Sequence, residues 1–187
     1  MFNLDGRTAV VTGAGQNVGA GIAATLAARG AHVLVNDIDG SRAGDVVAAL
    51  RDNGHSADAL PFDVTDLGEV QTALADRAVD ILVNNAGNGG AERMSVRPFA
   101  ESDPDQWAGP IAVNLGGSMN CTHTVLPGMI ERGWGRLIGI VSGAGTVGVG
   151  IGVAPYSAGK GGAAGLLRSV ALEVARTGVT ANSIALG

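Results

Sequence analysis

Short apolar runs alternate with longer amphipathic segments along nearly the whole chain, and this alternation limits the folds it can adopt. The segments between the apolar runs follow a helical pattern. Strands that are apolar on both faces and joined by helices form a parallel sheet covered on both sides. The sequence therefore predicts one α/β domain over residues 1–187, a doubly wound sheet with strand order 3-2-1-4-5-6. The predicted strands are Thr8–Thr12, His32–Asn36, Ala57–Phe62, Asp80–Asn85, Arg136–Ser142 and Val179–Leu186.

Residue types at the ends of the helical segments indicate where the helices begin and end. Ser41 and Asp66 are expected N-caps, because their side chains accept hydrogen bonds from the first turn of a helix. The expected helix ends are at Gly30, Gly54 and Gly178. A long helical pattern also runs from Asp105 to Gly133.

The composition excludes several classes of partner. The formal net charge is −5, and the basic residues are scattered along the chain. No basic stripe for nucleic acid and no polybasic segment for a membrane surface is present, so a small-molecule partner is expected. Cys121 is the only cysteine and is expected in the core, and the histidines lack ligand spacing, so no metal site is expected. Without a signal-peptide pattern or a membrane-spanning run, we expect a cytoplasmic protein.

The residues that follow the strands locate a candidate site, because ligands of doubly wound sheets bind outside the carboxyl ends of the strands. The first strand leads into the glycine-rich stretch Thr12–Gly21, whose turn into a helix suits a pyrophosphate. Val18 takes the last glycine position of G-x-G-x-x-G, so a purely structural turn is the alternative. Asp37 ends the second strand, where a carboxylate accepts hydrogen bonds from ribose hydroxyls and repels a 2′-phosphate. This favours NAD over NADP; the alternative is that Asp37 only begins a turn.

Two more strand ends carry candidate residues. Asp63 and Val64 follow the third strand, and Asp63 has the alternative role of a helix cap. The sequence NNAG at Asn84–Gly87 follows the fourth strand. Its small residues would let the backbone lie against a flat ring, although the stretch is also typical of a plain turn.

The only tyrosine, Tyr156, and the only lysine, Lys160, lie four residues apart. On a helix they share one face. An ammonium group beside a phenol favours the phenolate, so the phenol becomes usable as an acid and a base near neutral pH. Redox chemistry between a carbonyl and an alcohol needs such a group. The structural alternative is a lysine that snorkels past a partly buried tyrosine.

Taken in order, these motifs resemble the short-chain dehydrogenase/reductase family over essentially the whole chain. The matching stretches are TGAGQNVG, Asp37, Asp63–Val64, NNAG, Asn114 in VNLGG, Ser142 and YSAGK. The resemblance implies that Tyr156 exchanges a proton with the substrate oxygen and that Lys160 assists it and holds the nicotinamide ribose. It also implies that Ser142 binds the substrate oxygen and that Asn114 holds a water linking Lys160 to solvent. The alternative for Asn114 is a polar residue tolerated in a helix.

The resemblance further implies a bound NAD. The residues that would hold it are Gly13, Gln16, Asn17, Val18, Gly19, Asp37, Ile38, Asp63, Val64, Asn85, Ala86, Gly87, Tyr156 and Lys160.

The sequence departs from the family pattern at four places, one of which is a helix between Asp66 and Asp80 that is several residues shorter than usual and touches no chemistry. Asn17 replaces the middle glycine of the first motif, and asparagine is the residue after glycine that best tolerates a left-handed backbone. Ser142 precedes Tyr156 by fourteen residues rather than the family's thirteen, which a one-residue insertion in the intervening glycine-rich loop would absorb. Leu186 stands where proline is usual, and the family's carboxamide anchor, substrate lid and last strand are expected to be missing. A truncated reading frame, a fragment and a reduced relative all remain open.

The sequence thus predicts an NAD-dependent oxidoreductase that transfers hydride between nicotinamide and a secondary alcohol or ketone. The likeness is greatest to 3-oxoacyl-thioester reductases and hydroxyacyl-CoA dehydrogenases, and steroids, sugars and cyclic alcohols remain open as substrates. The alternative is an NAD-binding or oligomerisation remnant, and weak or no turnover is expected of the 187-residue form. The helices Asp105–Arg132 and Tyr156–Thr177 are apolar on more than one face, so a homodimer or higher homo-oligomer is expected.

Overall fold

The computed structural model describes residues 3–87 and 96–187 and is built on a six-stranded sheet. The strands pair in the order β3-β2-β1-β4-β5-β6, and every neighbouring pair is parallel. The predicted fold class and strand order are therefore confirmed. The strands are β1 (Thr8–Val11), β2 (His32–Val35), β3 (Ala57–Ala59), β4 (Ile81–Asn84), β5 (Gly135–Ser142) and β6 (Val179–Leu186).

Helices cover both faces of the sheet. The described helices are α1 (Asn17–Ala27), α2 (Gly40–Asp52), α3 (Leu67–Leu74), α4 (Ala108–Ile111), α5 (Gly117–Glu131), α6 (Gly143–Thr146) and α7 (Ala154–Glu173). Short 3-10 turns occupy Phe99–Glu101 and Pro104–Gln106, and a π-helical stretch, Ala112–Gly116, joins α4 to α5. In residues 3–87 and 96–187, no helix combines the length and apolar character needed to cross a bilayer.

The central strands are apolar on both faces because each face meets a layer of helices. In β1, Val10 lies in register with Leu34 of β2 and Leu82 of β4, and this row packs with α3, α5 and α7. Ala9 and Val11, the neighbours of Val10 in β1, point to the opposite face, where they pack with α1 and α2. Cys121 lies in the first of these layers, and burial raises the pKa of its thiol to about 12, so it acts as a core residue.

The helix ends follow the expected residue types with two corrections. Asp66 caps α3 by accepting a hydrogen bond from the backbone N–H of Glu69, as predicted. The cap of α2 is Asp39 and not Ser41, because the Asp39 carboxylate accepts from the backbone N–H groups of Ser41 and Arg42. Gly30 and Gly54 adopt φ values of 93° and 79° just after helices α1 and α2, so these two predicted helix ends are confirmed. Gly178, with a φ of 80°, does not end a helix, because α7 already ends at Glu173 and Gly178 lies in the turn before β6.

Strands β1, β2, β4 and β5 differ from the predicted strands by at most one residue at each end, but two other predicted elements differ more. Strand β3 ends at Ala59 rather than Phe62, because Pro61 has no N–H with which to extend the ladder. The helical pattern from Asp105 to Gly133 becomes a 3-10 turn, α4, the π stretch and α5 in succession. The π stretch carries Asn114 to the carboxyl edge of the sheet, where the candidate site lies.

Candidate functional site

A cavity of about 700 Å³ opens at the carboxyl ends of the strands. This volume is in the usual range for a ligand pocket. Of the site residues predicted from the sequence, all except Asn114 line the cavity. The lining residues among them are Gly13, Gln16, Asn17, Val18, Gly19, Asp37, Ile38, Asp63, Val64, Asn85, Ala86, Gly87, Ser142, Tyr156 and Lys160.

The turn between β1 and α1 is shaped by close backbone approach. Gly13 has a φ of 59°, and a Cβ built on it would lie 2.8 Å from the Cα of Ala86. A Cβ on Gly19 would overlap the carbonyl oxygen of Gly13. Asn17 has a φ of 49° and is the only non-glycine residue in the described ranges with a positive φ. Asparagine therefore supplies the left-handed backbone that the family motif takes from glycine.

A buried network of short polar side chains ties this turn to its neighbours. The hydroxyl of Thr12 donates to the carbonyl oxygen of Val83 and accepts from the N–H groups of Asn85 and Ala86. The side-chain amide of Asn85 donates in turn to the carbonyl oxygens of Thr12 and Gly13. The ends of β1 and β4 are thereby held in one fixed arrangement.

Asn36 performs the same function on the other side of β1. Its side-chain oxygen accepts from Gly13 N–H, and its amide donates to the carbonyl oxygens of Leu60 and Phe62 beyond β3. From the sequence, Thr12 only opens the glycine-rich stretch and Asn36 only ends a predicted strand, so neither side chain is assigned a role. The signal that could have identified them is a polar side chain at the end of an otherwise apolar run.

Asp37 is buried at the end of β2, where its carboxylate accepts three hydrogen bonds. The donors are the backbone N–H groups of Gly15, at 3.1 Å, and of Asp39, at 3.1 Å, and the guanidinium of Arg42, at 2.7 Å. Asp37 is thus more than the beginning of a turn, because it closes the glycine-rich segment onto β2. Arg42 also lines the cavity and was not predicted.

Tyr156 and Lys160 lie on one face of α7 and both line the cavity with Ser142. Lys160 is buried, and its Nζ donates a 2.8 Å hydrogen bond to the carbonyl oxygen of Ile140 in β5. Burial lowers the pKa of this ammonium group from 10.5 to about 8. Ser142 ends β5, and its Oγ caps α6 by accepting from Ala144 N–H at 3.2 Å.

Asn114 lies behind the cavity wall rather than in it. Its amide donates to the carbonyl oxygen of Pro110 at 2.8 Å within the helical segment. A Cβ built on Gly87 would overlap Asn114 Oδ1 and would lie 2.5 Å from Lys160 Nζ. Both polar atoms therefore rest against the bare backbone of Gly87, and a larger residue there would separate them or displace them.

This arrangement fits a nicotinamide dinucleotide. The glycine turn presents backbone N–H groups at the start of α1, which suits a pyrophosphate. Asp37 sits at the end of β2, where a ribose would lie, and Ala86 and Gly87 offer a flat backbone surface next to Tyr156 and Lys160. Within the ranges that the structure describes, no group of three or more His, Cys, Asp and Glu side chains comes together as a metal site.

The family model for short chain dehydrogenases matches residues 7–187. The chain belongs to the short-chain dehydrogenase family. As the sequence resemblance implied, it is an oxidoreductase of a family that acts on CH–OH groups.

Its relatives include dehydrogenases and ketoreductases. D-beta-hydroxybutyrate dehydrogenase of Cupriavidus necator is 39% identical, over 98% of this chain and 71% of the relative. A gluconate 5-dehydrogenase from Burkholderia cenocepacia, solved with NADP and tartrate, superposes with a TM-score of 0.89 at 36% identity, over 98% of this chain and 72% of that one. Actinorhodin polyketide ketoreductase, solved with NADPH, gives a TM-score of 0.89 at 35% identity, over 99% of this chain and 71% of that one.

The buried lysine of this short-chain dehydrogenase gives a direct test of the site. Because Lys160 is the only lysine, isotope-labelled lysine yields a single side-chain NMR signal. We expect this signal to titrate near pH 8 in the folded protein and near 10.5 in urea. Between pH 8 and pH 10.5 the unfolded chain binds more protons than the folded chain. The free energy of unfolding should therefore rise with pH across this range, by about 3 kcal/mol in all. A folded-state midpoint near 10.5 would contradict the buried position of Lys160.

Proposed function

We propose that this protein transfers hydride between NAD and a secondary alcohol or ketone. The observation that carries the proposal is that Tyr156 and Lys160, on one face of α7, line the same cavity as the glycine turn and Asp37. A proton-exchanging phenol and a dinucleotide cradle thus share one site. The nicotinamide, when bound, supplies the hydride acceptor or donor.

Tyr156 is the proposed acid and base. It protonates the carbonyl oxygen during reduction and takes the proton back from the alcohol during oxidation. Lys160 supports it electrostatically, because its buried ammonium group is mostly charged below pH 8 and lines the same cavity. Gly87 allows Asn114 and Lys160 to approach each other, which supports a role for Asn114 in positioning the lysine and in linking it to solvent through water.

Ser142 is the proposed partner of the substrate oxygen. Its Oγ already accepts a hydrogen bond from Ala144 N–H, which leaves the O–H to donate into the cavity. The fourteen-residue spacing to Tyr156 is compatible with this role, because the segment between α6 and α7 contains Gly148 and Gly152, both with positive φ. A longer loop therefore fits between Ser142 and the start of α7.

The proposed substrate class is a compound with a 3-oxo or 3-hydroxy acyl group. The relative from Cupriavidus necator is named for D-beta-hydroxybutyrate, and the name polyketide ketoreductase likewise denotes reduction of a ketone. Acetoacetate and acetoacetyl-CoA are accordingly the first ketones to assay, with 5-keto-D-gluconate, the substrate in the name of another relative, as the sugar-acid comparison.

Replacing Tyr156 by Phe tests the reaction. We expect Y156F to lose about 10²- to 10⁴-fold in turnover, because it removes the proton donor, and to leave NAD binding nearly intact. Stopped-flow absorbance of the nicotinamide measures the first quantity, and calorimetry measures the second. Ser157→Ala removes a hydroxyl from the same turn of α7 outside the cavity lining and should leave both quantities unchanged.

Unchanged turnover in Y156F would remove Tyr156 from the mechanism. If the parent chain binds NAD but turns over none of the ketones, the alternative predicted from the sequence, a binding form without catalysis, is favoured.

We propose NAD rather than NADP as the preferred cofactor. The carboxylates of Asp37 and Asp39 outweigh the single charge of Arg42, so the region at the end of β2 is net negative and repels a 2′-phosphate. Calorimetric titration of the parent chain should give a lower Kd for NAD than for NADP. Asp37→Asn should shift the Kd ratio toward NADP by about tenfold or more. Asp58→Asn, which removes the partner of Arg51 outside the cavity, is the control, and a parent chain that binds NADP more tightly would contradict the proposal.

We propose a homodimer formed through α5 and α7. Met119 and Ile130 on α5 and Leu172 on α7 are exposed, the last at 82%. Apolar side chains on the outer faces of two long helices favour burial against a second copy. Sedimentation velocity at micromolar concentration should show a dimer that Leu172→Glu weakens. A single monomeric species for the parent chain would contradict this proposal.

A further inference from the structure

The guanidinium of Arg42 occupies an unusual position for a cavity that is expected to select NAD. It lies in the first turn of α2, 39% of its side chain is exposed, and it lines the cavity. It contacts Asp37, the residue expected to select against NADP, through a 2.7 Å hydrogen bond. Its Nε also lies 3.5 Å from Asp39 Oδ2.

The hydrogen bond from Arg42 leaves Asp37 few acceptor positions for the hydroxyls of a ribose. A carboxylate accepts about four hydrogen bonds. Three acceptor positions of Asp37 are taken, by Gly15 N–H, Asp39 N–H and Arg42. Of these donors, the two backbone groups are fixed by the turn, whereas Arg42 is a long side chain that can move. Two ribose hydroxyls can both donate to Asp37 only if Arg42 withdraws.

The same contact lowers the repulsion that a 2′-phosphate would meet. Paired with Arg42, the Asp37 charge is compensated across a short distance, and the side chain of Asp37 is only 5% exposed. Arg42 meanwhile keeps further N–H donors, because a guanidinium carries five. Guanidinium groups bind phosphate through two parallel hydrogen bonds, so a 2′-phosphate entering the cavity would meet a suitable donor pair.

We propose that Arg42 sets the cofactor selectivity of the site by competing with the ribose hydroxyls for Asp37 and by offering its remaining donors to a 2′-phosphate. The inference rests on the proposed dinucleotide site. It goes beyond that proposal in assigning the size of the NAD preference to the Arg42–Asp37 pair rather than to Asp37 alone. With Arg42 in place the preference for NAD is modest, and NADP is a usable ligand.

Arg42→Gln tests the assignment by calorimetric titration of oxidised NAD and NADP. We expect R42Q to weaken NADP binding and to maintain or tighten NAD binding. The ratio of the two Kd values should move toward NAD by about tenfold, which corresponds to about 1.4 kcal/mol of differential binding. Arg42→Lys keeps the charge and should retain part of the NADP affinity. A role of Arg42 in folding alone would change both Kd values together and leave the ratio unaltered.

Arg51→Gln is the matched control, because Arg51 lies on the same helix and pairs with Asp58 outside the cavity lining. The ratio of the two Kd values in R51Q should equal that of the parent chain. An unchanged ratio in R42Q, or one that moves toward NADP, would overturn the role of Arg42 and leave the proposed function standing. A parent chain that binds neither dinucleotide would overturn the proposed site, and the assignment of Arg42 with it.

Discussion

The hydroxyl of Thr12 joins the two strands on which the whole site depends. It donates a hydrogen bond to a carbonyl oxygen of β4 and accepts hydrogen bonds from two backbone N–H groups of the segment that follows β4. In this sheet β1 lies between β2 and β4. The helices that follow β1 and β4 pack on opposite faces of the sheet. A crevice must therefore form at their carboxyl ends. Thr12 and Asn36 hydrogen-bond to backbone groups around this crevice, so its backbone is fixed before any ligand arrives.

Most of the fold was predictable because the apolar pattern directly reflects burial. The row through Val10, Leu34 and Leu82 is apolar since both faces of these strands meet helices, and that requirement is visible in the sequence. The sequence shows two other features less clearly. These are the length of β3, which a single proline shortens, and the residue that caps α2. Asp39 and Ser41 are both good caps, and only the path of the chain after β2 decides between them.

The candidate site was predictable as a set of residues, and less so as a set of contacts. The cavity gathers the predicted residues because all of them follow strands of one parallel sheet. Arg42 escaped prediction because it lies in a helix, where an arginine is ordinarily a solvated surface residue. Its contact with Asp37 depends on how α2 packs against β2. The burial of Lys160 was equally hidden, since the sequence shows the four-residue spacing but not the depth of the lysine in the cavity wall.

The π-helical stretch Ala112–Gly116 has a consequence for how this segment tolerates insertions and deletions. A π turn holds more residues than an α turn, so the stretch behaves as an α-helix into which one residue has been added. Removing one residue there would restore a regular helix and leave the parts before and after the stretch in nearly the same rotational phase, because the wide turn takes up the added residue. The buried face of α5, with Cys121 and Met129, would then keep its place, whereas the wide turn that holds Asn114 would be lost. A single-residue deletion in this stretch would thus change the site at Asn114 and leave the core in register.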